Sequence, residues 1–181
     1  LAPIPFEIDD DNSDNSSGNG NTIANSGETL EIFINANNYG SESTDNVTAI
    51  ISSNSPYVNI EQDWSIIDFG TIIAGETVAG NTPFVVSLEQ GIHDGVELGL
   101  QVEFTDASEN SFSGYLDIKV SGNDLSAYDV DVIGSASDVL TPGQSSYVKI
   151  GLQNDGETNA VSVLGTITCA SPFVEIIDDN G

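Results

Sequence analysis

The chain has 181 residues, of which 29 are acidic and only two, Lys119 and Lys149, are basic, so its formal net charge is −27. That charge excludes nucleic acids and anionic membrane surfaces as partners, because both are bound through basic patches. No run of about 18 apolar residues is present, so we expect no membrane insertion. Self-repulsion on this scale is relieved by salt or by divalent cations, which predicts an extracellular or cell-surface location.

The first 120 residues contain segments that alternate apolar and polar residues with a period of two, which is typical of half-buried β-strands. Turn-forming Gly, Pro, Asn and Asp residues separate the alternating segments. Pro3 and Pro5 make the first segment an edge strand or an extended lead-in. The segment 105–110 is predicted to be a hairpin loop. In chain order, the predicted strands lie near 3–8, 29–36, 45–52, 57–61, 65–69, 81–88, 97–105 and 112–120.

The sequence contains an internal repeat. Residues 27–62 recur without a gap 116 positions later, so that Gly27 matches Gly143 and Asn38 matches Asn154. A fixed-period match of this kind indicates a tandem module. The second copy contains predicted strands near 127–133, 145–152, 161–168 and 173–177.

We therefore predict an all-β protein built of tandem immunoglobulin-like antiparallel β-sandwiches. Residues 1–121 form the complete first domain, and residues 122–181 form the first part of a second, incomplete one. An incomplete sandwich exposes an apolar face and unpaired strand edges. It is expected to be a fragment of a longer protein or to be completed by strand addition from another chain.

An acidic loop at 9–28 distinguishes the first copy from the second. Matching the segments 6–9 and 128–131 gives an offset of 122 instead of 116, which predicts six extra residues in this loop. Two interpretations fit its Asp, Asn, Ser and Gly residues. They supply the carboxylate, amide and backbone oxygens that calcium takes from flexible loops. They are equally typical of a solvated, mobile polar loop.

Several short motifs occur in a recognisable order, at 18–21 (Gly-Asn-Gly-Asn), 25–29 (Asn-Ser-Gly-Glu-Thr), 38–40 (Asn-Tyr-Gly), 55–58 (Ser-Pro-Tyr-Val), 68–72 (Asp-Phe-Gly-Thr-Ile) and 104–106 (Phe-Thr-Asp). Together they resemble the immunoglobulin-like accessory modules of large secreted bacterial proteins, as found beside gingipain-like cysteine peptidases and metallopeptidases. The resemblance implies a calcium site in the first copy. Its candidate ligands are Asp9, Asp11, Asp14, Asn19, Asn21, Glu28 and, if its hairpin lies at the same end of the sandwich, Asp106.

The aromatic residues leave a binding role open. Trp64 fits a core position, an exposed ring that stacks on a sugar, or a contact with the neighbouring module. Tyr39 and Tyr57 are its candidate companions in a ligand-binding surface. His93 and Cys169 are the only histidine and the only cysteine, and no catalytic motif surrounds either of them.

The function expected from the sequence is that of a non-catalytic, extracellular spacer segment of a larger bacterial secreted or surface protein, with calcium stabilising the first module. Its partners would be the other domains of that protein. The alternatives are an adhesin or carbohydrate-binding module, and a subunit of an extracellular fibre completed by strand addition from neighbouring subunits.

Overall fold

A computed structural model describes residues 4–177, and the described chain is all-β with antiparallel sheets. It divides into two compact units. The first runs to Asp124 and also includes Asp155–Thr158, and the second comprises Leu125–Asn154 and continues from Asn159. In chain order the strands are β1 (Phe6–Asp9), β2 (Thr29–Asn37), β3 (Thr44–Ser53), β4 (Val58–Ile60), β5 (Ile66–Ile72), β6 (Thr77–Ala79), β7 (Phe84–Leu88), β8 (Leu100–Thr105), β9 (Ser111–Leu116), β10 (Leu125–Val132) and β11 (Val148–Asn154), with a 3₁₀ turn, η1 (Gln62–Trp64), between β4 and β5.

The first unit is a β-sandwich of two antiparallel sheets. One sheet has the order β1-β2-β7-β4, with β6 paired to the far end of β2, and the other has the order β5-β3-β8-β9. Alternate residues of both sheets point into one shared core. Its fully buried members include Leu30, Ile32, Ala49, Ile67, Phe84, Val86, Leu100 and Val102. Each large apolar side chain buried in this way contributes roughly 1.5–3 kcal/mol, so the period-two pattern accounts for the fold.

Each predicted strand of the first unit overlaps an observed one, although β5 ends three residues later than predicted, β7 begins three residues later, and residue 3 lies outside the described residues. Two further differences concern a missed strand and the last hairpin. The short strand β6 was not predicted, because Val78 is its one large apolar residue, whereas β4 of equal length alternates Val58 and Ile60. The last two predicted strands, 97–105 and 112–120, are longer than β8 and β9. Gly99 has a φ of 60° and interrupts the ladder, beyond which Glu97 and Lys119 form an isolated bridge.

The second unit contains one antiparallel pair, β10 and β11. The strands predicted at 161–168 and 173–177 are not formed there, so that prediction is wrong for the described residues. Their apolar side chains lie exposed, Val161 at 81 % and Leu164 at 75 %. In the first unit the equivalent strand, β3, is held between β5 and β8. The described part of the second unit offers no strand that could take either place.

The strand register also corrects the length of the acidic loop. Ile8 pairs with Ile32 in the first unit, and the residue equivalent to Ile32 is Val148. Val148 pairs with Val132, so Val132 is equivalent to Ile8 at an offset of 124. The first copy therefore has eight extra residues between its first two strands, where the sequence match indicated six.

Candidate functional site

The acidic loop is built around the side chain of Asp10, which is completely buried. Its Oδ1 accepts the N–H of Thr22 at 2.8 Å. Its Oδ2 accepts the N–H groups of Gly20 at 3.1 Å and Asn21 at 3.3 Å. Three backbone donors thus offset the cost of burying this carboxylate, since a buried charge must be hydrogen-bonded.

Glu28 is the second buried carboxylate of the loop, with 8 % of its surface exposed. It accepts the N–H of Asn19 at 3.2 Å and that of Asn25 at 3.0 Å. Burial raises the pKa of Glu28 above its ordinary value of 4.5, and the nearby charge of Asp10 raises it further. Two carboxylates thus hold the loop from its two ends.

Gly18 lies between these two carboxylates. A Cβ at this position would come within 2.7 Å of the backbone oxygen of Asp10 and 2.9 Å of the Glu28 carboxyl carbon. Only glycine lets the chain pass at that distance, because real Cβ atoms essentially never approach so closely.

An asparagine cluster joins the loop to the rest of the first unit. The side-chain oxygen of Asn25 accepts the amides of Asn19 at 2.7 Å and Asn21 at 3.1 Å. The Asn25 amide donates to the backbone oxygen of Ser121 at 2.9 Å, and Ser121 returns a bond from its N–H to the oxygen of Ala24 at 2.8 Å. The loop is therefore anchored to a distant segment as well as to itself.

Of the remaining acidic candidates of the loop, Asp9 is half-buried, and Asp11 and Asp14 are exposed. Asp9 accepts the N–H of Asp11 at 3.1 Å. Asp11 accepts the backbone N–H and the hydroxyl of Ser13 at 2.8 and 2.6 Å, and these bonds lower the pKa of Asp11 below its ordinary value of 3.8. Asp14 is exposed, with a φ of 48°. Asp9 and Asp11 thus each use an oxygen to close a local turn.

Asp106 lies at the opposite end of the first unit. It accepts the hydroxyl of Thr44 at 3.2 Å, and Thr44 pairs with Ile72, whose oxygen accepts the amide of Asn38 at 3.0 Å. Asn38 directly follows β2, whereas the acidic loop precedes it. The nine residues of β2 separate the two ends by roughly 27 Å at 3.3–3.4 Å per residue. Asp106 was a candidate calcium ligand only if its hairpin lay at the same end of the sandwich as the acidic loop, and it lies at the other end.

Asp106 instead closes its own hairpin. Its Oδ1 accepts the N–H groups of Ser108 at 2.8 Å and Asn110 at 3.0 Å, and its Oδ2 accepts the Asn110 amide at 2.9 Å. The hydrogen bond from the Asn110 side chain, followed in size by the one from its backbone, lowers the pKa of Asp106 below its ordinary value of 3.8.

No group of three or more acidic, histidine or cysteine side chains that could hold a metal ion occurs among residues 4–177. The carboxylates of Asp10 and Glu28 accept hydrogen bonds from backbone N–H groups. These donors occupy the oxygens that would otherwise be offered to a cation. As arranged, the loop does not present a converging set of carboxylate oxygens, and the calcium site remains a prediction.

The three aromatic candidates do not share one surface. Tyr39 is 93 % exposed and lies in the connection after β2, at the Asp106 end. Tyr57 is 37 % exposed, and its backbone oxygen accepts the N–H of Glu89 at the opposite end. Trp64 is half-buried at the end of η1, where it lines an open groove on the outer face of the first sheet.

No family model, curated protein or solved structure matches the chain.

Two further residues are the only ones of their type in the sequence, His93 and Cys169. His93 is exposed, with its Nδ1 at 3.8 Å from an oxygen of Asp124. Cys169 is an exposed free thiol in the second unit. Among the described residues, no helix has the length and apolarity that crossing a membrane requires.

Sequence reasoning missed the two residues that matter most in the loop, Asp10 and Asn25. The signal for Asp10 was present, because Phe6 and Ile8 point into the sandwich and Asp10 is the next residue of the same parity. A carboxylate at an inward position predicts buried N–H partners. For Asn25 no local signal existed, since its partner Ser121 is 96 residues away.

Proposed function

We propose that the chain is a non-catalytic structural segment of a larger bacterial secreted or cell-surface protein, in which the first β-sandwich acts as a rigid spacer. The observation that carries this proposal is the use of the polar side chains at both ends of the first unit. The carboxylates Asp10, Glu28 and Asp106 close their own loops instead of converging on a common point.

At one end, Asp10 and Glu28 accept five backbone N–H groups from within their own loop. At the other end, Asp106 closes the β8–β9 hairpin, and Asn38 donates to the backbone oxygens of Glu42 and Ile72. Loops tied in this way keep the ends of a module in a fixed geometry, which is what a spacer between domains requires.

The charge balance supports an extracellular location. Nearly all of the 29 acidic side chains must be offset by solvent ions, because the chain has only two basic ones. Extracellular calcium-binding modules work at about 10⁻⁴–10⁻³ M calcium. Calcium at the acidic surface of the first module would add stiffness to a loop that its hydrogen bonds already shape.

Single-molecule pulling of the full chain between two handle proteins tests the spacer role. We expect one cooperative, high-force unfolding event for the first unit and a weakened event for the Asp10→Asn variant. Gradual extension at low force would contradict a rigid spacer. Turnover of a peptide, glycoside or ester substrate by the same preparation would contradict a non-catalytic role.

A further inference from the structure

The outer face of the first sheet is partly buried, although it does not belong to the sandwich core. Val85 of β7 is 2 % exposed and Glu31 of β2, its partner across the ladder, is 3 % exposed. Neither is part of the core cluster. Asn15 of the acidic loop covers this face, with its amide donating to Glu31 Oε1 at 2.9 Å. The face is therefore the floor of a recess and not an ordinary solvated surface.

An open groove of about 740 Å³ lies on this face. The acidic loop contributes one wall through Asn15, and β4 with η1 contributes the other, while Val85 lies between them. A volume of this size lies in the range of small-molecule sites, which is roughly 300–1,000 Å³.

A line of hydrogen-bonding side chains crosses the groove from strand to strand. The hydroxyls of Thr29 and Ser87 are 3.1 Å apart. The Ser87 hydroxyl and the Asn59 amide both donate to Glu61 Oε1, at 3.4 and 3.2 Å. Two hydroxyls, a carboxylate and an amide thus form a connected line over the neighbouring strands β2, β7 and β4 and the residue that follows β4, and their mutual bonds prearrange them.

Trp64 closes one side of the groove. Its position is determined by η1, where the backbone N–H of Trp64 donates to the backbone oxygen of Glu61 at 3.0 Å. The backbone N–H of Glu61 in turn donates to the backbone oxygen of Val85 at 3.0 Å. The tryptophan is thereby tied to β7, the strand that carries Ser87 of the polar line. A half-buried indole beside aligned hydroxyl, amide and carboxylate groups offers a flat apolar face together with hydrogen-bond partners.

We propose that this groove binds a neutral oligosaccharide, with one sugar ring stacked on Trp64 and its hydroxyl groups bonded to Glu61, Asn59 and Gln62. This site goes beyond the spacer role. A sugar ring has apolar C–H faces and a rim of hydroxyls, and the groove supplies the complement of both.

The charge of the groove decides the class of ligand. The residues that line it include no lysine or arginine, and they do include Glu61 and Asp63. Sulfated, phosphorylated or uronic-acid ligands would meet only negative charge. A basic peptide would gain from the net charge, yet Glu61 Oε1 already accepts two neutral donors, the Ser87 hydroxyl and the Asn59 amide, which suits a sugar hydroxyl better than a cation.

The single tryptophan makes the test direct, because all indole fluorescence of the chain comes from the groove. The full chain is titrated with neutral gluco-, xylo-, galacto- and N-acetylglucosamine oligosaccharides up to millimolar concentration. At least one series should shift or quench Trp64 emission in a saturable manner. Its affinity should be unchanged between low and high salt, since neutral ligands are not subject to charge screening.

Variants locate the binding by calorimetry, which does not depend on the indole. Gln62→Ala, at an exposed position, and Trp64→Phe should each weaken binding about tenfold or more, as expected for central contacts. Tyr39→Ala, at the other end of the module, is the matched control and should bind as the wild type does.

Three outcomes would overturn the proposal. The first is the absence of any sugar-dependent change. The second is sugar binding that Gln62→Ala and Trp64→Phe leave intact. The third is binding of an oligolysine peptide alone, with an affinity that falls steeply as salt is added.

Discussion

The carboxylate of Asp10 accepts the N–H of Thr22 at 2.8 Å, twelve residues further along the chain. This one bond turns a long polar segment back onto its own beginning. Together with the bonds to Gly20 and Asn21, it converts a stretch that resembles an unstructured linker into a folded part of the first unit.

Asp10→Asn is expected to lower the free energy of unfolding by about 1–3 kcal/mol, because an amide donor would face backbone N–H groups that need an acceptor. The measurement is a urea titration of the full chain, followed through Trp64 emission. Asp14→Asn is the matched control: it is exposed, carries the same change of charge, and should shift stability by no more than about 0.5 kcal/mol. Equal effects of the two substitutions would show that charge, and not the Asp10 bonds, matters.

Gly18→Ala is expected to destabilise the first unit by about 1–3 kcal/mol, the cost of forcing extra volume into a packed site. The new methyl group would contact the backbone of Asp10 at 2.7 Å, and its neighbours are backbone and buried carboxylate that cannot move freely. Gly165→Ala, with nothing within 4 Å, serves as the control. Thermal melts that coincide for the two variants would argue against close packing at Gly18.

The raised pKa of Glu28 predicts a specific dependence of stability on pH. A carboxyl whose pKa is higher in the folded state than the ordinary 4.5 binds protons more readily when folded. Its contribution to stability is therefore fully present below pH 4.5 and is lost as the pH rises through the folded value. Asp11 and Asp106 act in the opposite sense, since their lowered pKa values stabilise the fold above 3.8 and cease to do so as the pH falls through their folded values.

Urea titrations between pH 3 and 7 on the wild type and on Glu28→Gln separate these effects. The wild type should gain stability relative to the variant as the pH falls from neutral towards 4.5. The difference between the two proteins removes the general relief of charge repulsion, which both share. A pH-independent difference would mean that Glu28 does not titrate differently in the folded and unfolded states.

Calcium is expected to raise the melting temperature of the first unit at millimolar concentration, and EDTA to lower it, if the acidic loop binds the ion. Sodium chloride at equal ionic strength controls for screening. Asp11→Asn combined with Asp14→Asn should abolish the calcium-dependent part of the shift. Asp106→Asn should leave it intact, since Asp106 lies at the far end of β2. A melting temperature that does not change when calcium is added would disprove the calcium site.

Several features could be predicted from residue order alone, and the physical reason is that they are local. The alternation in β2, from Leu30 to Ala36, specifies a strand and its buried face, because successive side chains point to opposite sides. The hairpin at 105–110 follows from its turn residues. The same local reasoning wrongly predicted a strand at 161–168. Apolar and polar residues alternate there, but no described strand pairs with this segment.

The contacts of the acidic loop and of the groove were less predictable from the sequence. They depend on which strands pair and therefore on which loops lie at the same end of the sandwich. Asp9, Asp11 and Asp14 look like a cluster in the sequence, yet Asp9 and Asp11 each close a local turn. Asp10, in the middle of the same run, is the residue that the fold buries. The groove beside Trp64 combines three strands and a loop that are far apart in the chain.

The period-two pattern determines that this protein is an all-β chain, and the residue order places a polar insertion at 9–28 between its first two strands. Only the tertiary structure decided which acidic residue that insertion folds around, and that Asp106 and the insertion occupy opposite ends. A strand pattern records which way each side chain points, but the distance between two loops depends on strand pairing between segments that are remote in sequence.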